Sequence, residues 1–148
     1  MVEGRPAGDG DLGYLLVQAA QAWRNRVADR LRDANVTPTQ FFVLVTLLRH
    51  SRRSADPLSQ RQVAGRTRMD VNTTSQVVRA LAGRGLLTRA AHPQDSRAVA
   101  LALTPDGTEL ARACAARVRE VNAAFFADIE PEPLRVALRS LLLEADSR

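Results

Sequence analysis

The chain has 148 residues, 45% hydrophobic and 25% charged, which is one domain's worth of sequence with enough apolar content to bury a core. Moderate charge and plentiful apolar residues exclude disorder as a global description, and no run approaches the ~20 apolar residues of a membrane-spanning helix. The basic residues are all arginine, 21 against 16 acids, for a net charge of +5, so every cation is a planar fork suited to phosphate or carboxylate.

In chain order, residues 1–10 are Gly-rich and expected to be a disordered leader, with residues 11–148 forming a single domain. From Asp11 a helical period begins. Leu12, Leu15, Leu16, Ala19, Trp23, Val27 and Leu31 recur at steps of three and four, which predicts a helix over about 11–34. Val36-Thr37-Pro38-Thr39-Gln40-Phe41 is a strong helix start. Thr37 caps, Pro38 loses nothing at the first position, Gln40 closes a capping box, and Val36 and Phe41 hold staple positions. That helix runs to about His50, followed by a polar loop to Pro57. The capping pattern recurs at Leu58-Ser59-Gln60-Arg61-Gln62-Val63, opening a short helix over about 59–67. Asp70 caps the next helix, which Gly83-Arg84-Gly85 ends.

Leu86–Ala91 and Arg97–Leu103 read as two strands joined by a turn at His92-Pro93-Gln94-Asp95-Ser96. Thr104-Pro105 is a second cap-plus-proline start. Its helix carries Leu110, Cys114, Val118, Val121, Phe125 and Ile129, and Pro131 and Pro133 are expected to break it. A last helix is predicted from about Pro133 to Ala145, with Leu134, Leu138, Leu141 and Leu142. The fold class is therefore mainly α with a small β-hairpin (α+β).

Two short helices joined by a tight turn and followed by a hairpin make a winged helix-turn-helix, whose second helix is of a size to enter the DNA major groove. At about 100° per residue, Thr74, Val77, Val78 and Leu81 fall on one side of that helix. Asn72, Ser75, Gln76 and Arg79 fall on the other, with Thr73 flanking. Asn and Gln match adenine edges and Arg matches guanine, whereas an ordinary solvated face carries more Glu and Lys. Charge coincides with the motif. Residues 49–97 hold ten Arg and three acids, net +7, while the rest of the chain is net −2. In the wing, Arg97 is positioned for the minor groove and Asp95 to orient its guanidinium; the plainer reading of that pair is a surface ion pair.

The runs Leu81-Ala82-Gly83-Arg84-Gly85-Leu86-Leu87-Thr88-Arg89, Pro93-Gln94-Asp95-Ser96-Arg97 and Leu103-Thr104-Pro105-Asp106-Gly107 resemble the MarR family. The spacing from wing D-x-R to L-T-x-x-G is the specific part, and the likeness spans about residues 11–143. It implies a homodimer whose base is built from the first and the last two helices, residues 11–34 and 104–146. A DNA-binding lobe, residues 36–103, docks from each subunit on a pseudo-palindromic operator. Asp95 and Arg97 are then the wing pair, and Asn72 to Arg79 lie on the recognition helix. Ser96 stands where many members carry a further Arg. The apolar stripes of the terminal helices exceed what a three-helix winged core requires, which also favours pairing of subunits over one closed monomeric core.

The aromatic residues lie outside the basic segment. Tyr14, Trp23, Phe41 and Phe42 sit where the family's effector pocket forms, although core packing is the ordinary role of any one of them. The family's urate-responsive branch has a Trp in its first helices, which Trp23 matches; Phe42 stands where that branch has an acid. Cys114 lies on an apolar stripe, far from the reactive cysteine of the peroxide-sensing branch, and reads as a buried, inert thiol. With one cysteine and an N-terminus lacking the basic-then-apolar order of a signal peptide, a cytoplasmic location is expected. His50 and His92 lack partners at metal-ligand spacing, and no catalytic constellation is visible, so neither a metal, a cofactor nor an enzymatic activity is expected. The expected partners are double-stranded DNA, a second copy of the chain and a small aromatic, anionic effector that releases a repressor from its operator. The alternatives are a non-specific DNA-coating protein and a winged-helix interaction module without DNA.

Overall fold

The computed structural model describes residues 11–147; the expected leader over residues 1–10 lies outside them. The elements are α1 (Leu12–Leu31), a 3-10 turn (Arg32–Ala34), α2 (Pro38–Ser51), β1 (Leu58–Ser59), α3 (Gln60–Thr67), α4 (Val71–Gly83), β2 (Leu87–His92), β3 (Asp95–Leu103), α5 (Pro105–Phe125) and α6 (Pro131–Asp146). The predicted α+β winged helix-turn-helix is the fold observed. No described helix is long and apolar enough to cross a membrane.

Local capping chemistry sets the helix starts. Thr37 and Gln40 form a reciprocal capping box at α2, and Ser59 and Gln62 form another at α3. Asp70 caps α4 and Thr104 caps α5. The turn between α3 and α4 passes through Arg68 at φ 56°, and α1 is closed off by Asn35 at φ 53°. Asn tolerates the left-handed region because its short polar side chain bonds locally.

The core is built on α2. Its Phe41, Val43, Leu44, Val45, Leu47 and Leu48 are buried, so this helix is enclosed on most sides. Val63, Val78, Leu81, Leu86, Leu87 and Leu101 close over it from the winged part, and Ala111, Cys114, Val118 and Val121 from α5.

The chain departs from the sequence reading in three places. The hairpin is part of a three-stranded sheet of order β1-β3-β2, because Leu58 and Ser59 pair antiparallel with Leu101 and Ala100. Two residues carry no readable period, so only the fold reveals that strand. The wing turn is also tighter than expected. His92 pairs with Asp95 while Ala91 pairs with Val99, which leaves residues 96–98 as a bulge on β3. Finally, α5 ends at Phe125 and α6 starts at Pro131, leaving Ile129 outside the helix and half-exposed. Pro131 and Pro133 begin a helix here, because first-turn N–H groups have no intrahelical partner to lose.

Only part of the terminal helices packs within one chain. Val27 and Leu31 at the end of α1 are buried, whereas Leu12, Leu15, Leu16 and Val17 are exposed, and α6 buries no residue.

The wing root and the start of α5 meet closely. The Thr104 N–H donates to the Leu86 carbonyl at 3.1 Å, and its hydroxyl donates to the Gly85 carbonyl at 2.6 Å. Gly85 turns the chain at φ 69°. A Cβ on Gly107 would lie 1.7 Å from the Leu86 carbonyl oxygen, so the backbones themselves occupy that space. Gly107→Ala is therefore expected to cost about 3 kcal/mol in denaturant unfolding, at the upper end of overpacking effects. Gly65→Ala, on α3 with no atom within 4 Å of the new Cβ, should instead be neutral or stabilising by about 0.5–1 kcal/mol.

Candidate nucleic-acid interface

The helix-turn-helix pair is α3 and α4. Thr74, Val78 and Leu81 are buried and Val77 is partly buried, which orients α4 as the wheel predicts. Asn72, Gln76 and Arg79 are exposed and Ser75 is half-buried, and none of the four has a side-chain partner among the described residues. Thr73 differs. Its N–H donates to Asp70 Oδ1 at 2.8 Å and its hydroxyl to Asp70 Oδ2 at 2.6 Å, so its proton is committed to the cap and only its lone pairs remain free. Thr74 donates its hydroxyl to the Asp70 carbonyl at 2.9 Å and is fully buried. Asp70 is the one acid on this face, and both carboxylate oxygens are occupied at the helix start, where the dipole favours them.

The wing residues are exposed at the tip. Asp95 does not grip the Arg97 guanidinium, as the sequence reading expects. Its Oδ1 accepts from the Arg97 main-chain N–H at 3.0 Å. A carboxylate two residues before an N–H closes this local turn without ordering a long side chain, whereas an exposed ion pair contributes only about 0–1 kcal/mol. Asp95 thus shapes the backbone that presents Arg97, whose guanidinium has no partner among the described residues.

Two features here escape a search for polar residues on the second helix. A cleft of about 560 Å³ lies between α3, α4 and the wing, lined by Ser59, Gln60, Arg61, Val71, Asp95 and Arg97 among others. Gln60 lines it, and its Oε1 is buried without a hydrogen-bond partner among the described residues. Val71, opening α4, is 64% exposed, an apolar group able to touch a thymine methyl. The Gln60-Arg61 pair after Ser59 is the only sequence signal for the first feature.

The histidines are structural. His50 Nε2 meets the Asp56 carbonyl at 2.7 Å and its Nδ1 meets Arg66 at 3.2 Å. His92 Nε2 meets the Pro57 carbonyl at 3.2 Å, and its Nδ1 accepts the Gln94 N–H at 3.2 Å. Both rings pin the loop that leads into β1. Cys114 is fully buried, and burial pushes its thiol pKa up against the opposing pull of Arg117 and Arg84.

Of the four aromatics expected at an effector pocket, three come together. Trp23, Phe41 and Phe42 line a cleft of about 500 Å³ between α1, α2 and α5. Trp23 and Phe42 are stacked with centroids 5.9 Å apart, and the Trp23 indole N–H donates to Asn122 Oδ1 at 2.8 Å. Tyr14 is not among them. It is exposed on α1 and accepts from Gln18 at 2.8 Å. Nine residues of helix separate it from Trp23, roughly 13 Å of rise.

An amphipathic second helix with adenine- and guanine-matching side chains outward, a wing with a free arginine and a basic surface define a DNA-binding winged helix. Comparison with known proteins gives the same result. The MarR family pattern matches residues 36–99. The HTH-type transcriptional regulator YdcH of Bacillus subtilis, itself uncharacterised, is 35% identical over 115 residues, 78% of each chain. A probable transcriptional regulator from Pseudomonas aeruginosa is 33% identical, with a TM-score of 0.75 over 93% of this chain and 98% of that one. BpsR of Bordetella bronchiseptica, whose DNA binding is regulated by 6-hydroxynicotinic acid, is 29% identical, with a TM-score of 0.75 over 93% of this chain and 94% of that one. The chain belongs to the MarR family of transcriptional regulators. That family comprises regulators rather than enzymes.

The Asp70 cap has a pH signature. The Thr73 hydroxyl, then the Thr73 N–H, hold its carboxyl below the ordinary value of 3.8. A carboxylate whose folded pKa is depressed adds stability above its unfolded pKa, and that contribution is lost as pH falls through the folded value. Asn at this position still caps but does not titrate. The stability advantage of the wild type over Asp70→Asn in urea melts should therefore be constant from pH 7 to about pH 5 and shrink below about pH 4.

Proposed function

We propose that the chain is a homodimeric repressor that binds a pseudo-palindromic operator, placing α4 in the major groove and the wing in the minor groove, and is released by a small aromatic anion. In this reading residues 36–103 are the DNA-binding lobe, and residues 11–34 and 104–146 form the dimer base. The observation that carries it is the α4 face. Asn72, Ser75, Gln76 and Arg79 are presented together without side-chain partners, beside exposed Arg97, on a segment of net charge +7. Thr73 and Asp95 serve in it by shaping the backbone that offers these contacts. The exposed apolar residues of α1 and α6, among them Leu15, Leu16, Leu141 and Leu142, support the dimer base. The clustering of Trp23, Phe41 and Phe42, with regulation of the similar BpsR by an aromatic acid, supports the effector. Such an effector would act by favouring a placement of the two lobes that no longer matches successive grooves.

Light scattering at micromolar concentration should return twice the mass of one chain; a monomer would contradict the dimer. The DNA reading is tested on operators selected by the purified protein. Arg79→Ala should cost about 1–3 kcal/mol and relax preference at one position per half-site. Equal loss on every sequence would make Arg79 a phosphate contact, and uniform footprints along any DNA would favour a coating protein. Absence of DNA binding at low salt would favour an interaction module. Arg97→Ala should lower the dimer's slope of log affinity against log salt by roughly 1–2 units, at about 0.9 per contact, while leaving sequence preference intact.

A further inference from the structure

The cleft beside Trp23 is more basic than a site for a simple aromatic acid needs. Besides its rings it is lined by Arg49 in the last turn of α2, Arg52 just past its end, and Arg112 and Arg119 from α5, with no acid among its lining residues. These four arginines are exposed, and among the described residues none has a hydrogen bond or ion pair. The nearby Arg24 is already engaged, donating to Thr39 at 3.2 Å and lying 5.7 Å from the centre of the Phe42 ring. Arg49 and the C-cap residue Arg52 stand three residues apart at the end of α2, where the cap keeps a helical backbone, so their like charges repel. Both belong to the basic segment that the sequence alone assigns to DNA, yet they line this cleft with α1 and α5.

Resting on the effector reading above, we infer that this cleft selects an aromatic ligand carrying at least two negative charges, whether carboxylate or phosphate. Trp23 and Phe42 supply an apolar, stacked wall for a planar ring. Asn122 has its carbonyl oxygen occupied by the indole and retains its amide N–H groups for an acceptor on the ligand. The guanidinium forks of Arg49, Arg52, Arg112 and Arg119 hold the anionic groups in bidentate fashion. A single carboxylate engages one fork and leaves the other three cations uncompensated. A second or third anionic group relieves that repulsion, so affinity rises with ligand charge more steeply than ring burial alone provides. A volume of about 500 Å³ accommodates such a molecule.

Trp23 is the only tryptophan, so its fluorescence reports this site directly. Full-length protein is titrated at fixed ionic strength with benzoate, phthalate and benzene-1,3,5-tricarboxylate, which share one ring and carry one, two and three charges. Phenyl phosphate tests phosphate against carboxylate, and citrate tests charge without a ring. Saturable quenching should tighten at least tenfold from benzoate to the di- or tricarboxylate, with citrate weaker than the aromatic tricarboxylate. Arg49→Gln and Arg112→Gln, both at exposed positions, should each abolish most of that gain with the melting temperature unchanged. Benzoate binding as tightly as the polyanions, quenching unaffected by the Arg variants, or no quenching by any probe would overturn the inference. The measurement contains no DNA. Failure of operator binding, which would sink the repressor reading, is therefore read separately from failure of the ligand class.

Discussion

The backbone of Gly107 lies directly against the carbonyl of Leu86, and the relation of the wing to α5 depends on that contact. Thr104 anchors the junction from both of its donors. Its N–H and hydroxyl bond the carbonyls of Leu86 and Gly85, and its hydroxyl also caps α5 through the Gly107 N–H at 3.0 Å. Arg84, just before the turn, reaches across to the Asn35 carbonyl at 2.7 Å and so connects the same junction to the end of α1. Threonine is needed for the bonds and glycine for the clearance, which gives the Leu-Thr-x-x-Gly run a physical meaning beyond resemblance. In the proposed repressor, motion in the helical base would reach the DNA-binding face through this short, backbone-dense joint, since side chains have little room there to absorb it.

Electrostatics divides the protein differently from the linear sequence. An all-arginine chain offers forks that suit phosphate and carboxylate equally well, so charge alone does not say which anion a region meets. Arg79 and Arg97 stand with the α4 face and the wing, beside side chains able to read base edges. Arg49 and Arg52 stand with three aromatic rings and two further arginines from α5. Arg68 does neither, because it pairs with Asp146 at 2.7 Å and joins the helix-turn-helix turn to the end of α6. One basic stretch of sequence thus supplies the proposed DNA surface, part of a cleft and a strut.

Stability is distributed unevenly in a way that fits the proposed dimer. The residues around α2 are almost all enclosed, whereas α6 buries nothing and the first turns of α1 expose a row of large apolar side chains. A helix with an apolar face and no packing partner is marginal in water. Covering these faces with a second copy would turn an exposed liability into the largest remaining source of burial.

The helix starts at Thr37, Ser59, Asp70 and Thr104, and the division of α4 into buried and presented faces, were legible from sequence. Capping and helical periodicity act within a few residues, so the chain states them locally. Other features depend on residues far apart and were decided only by tertiary structure. The two-residue β1 exists because Leu101 and Ala100 offer it a ladder. Asp95 turned out to serve a backbone N–H because the bulge at residues 96–98 brings that N–H to it. Tyr14 fell away from the cleft while Arg112, Arg119 and Asn122 joined it, because α5 packs against the far end of α1 and against α2. Local rules wrote the elements and their faces; which faces meet, and which charges therefore share a site, was settled by packing around α2.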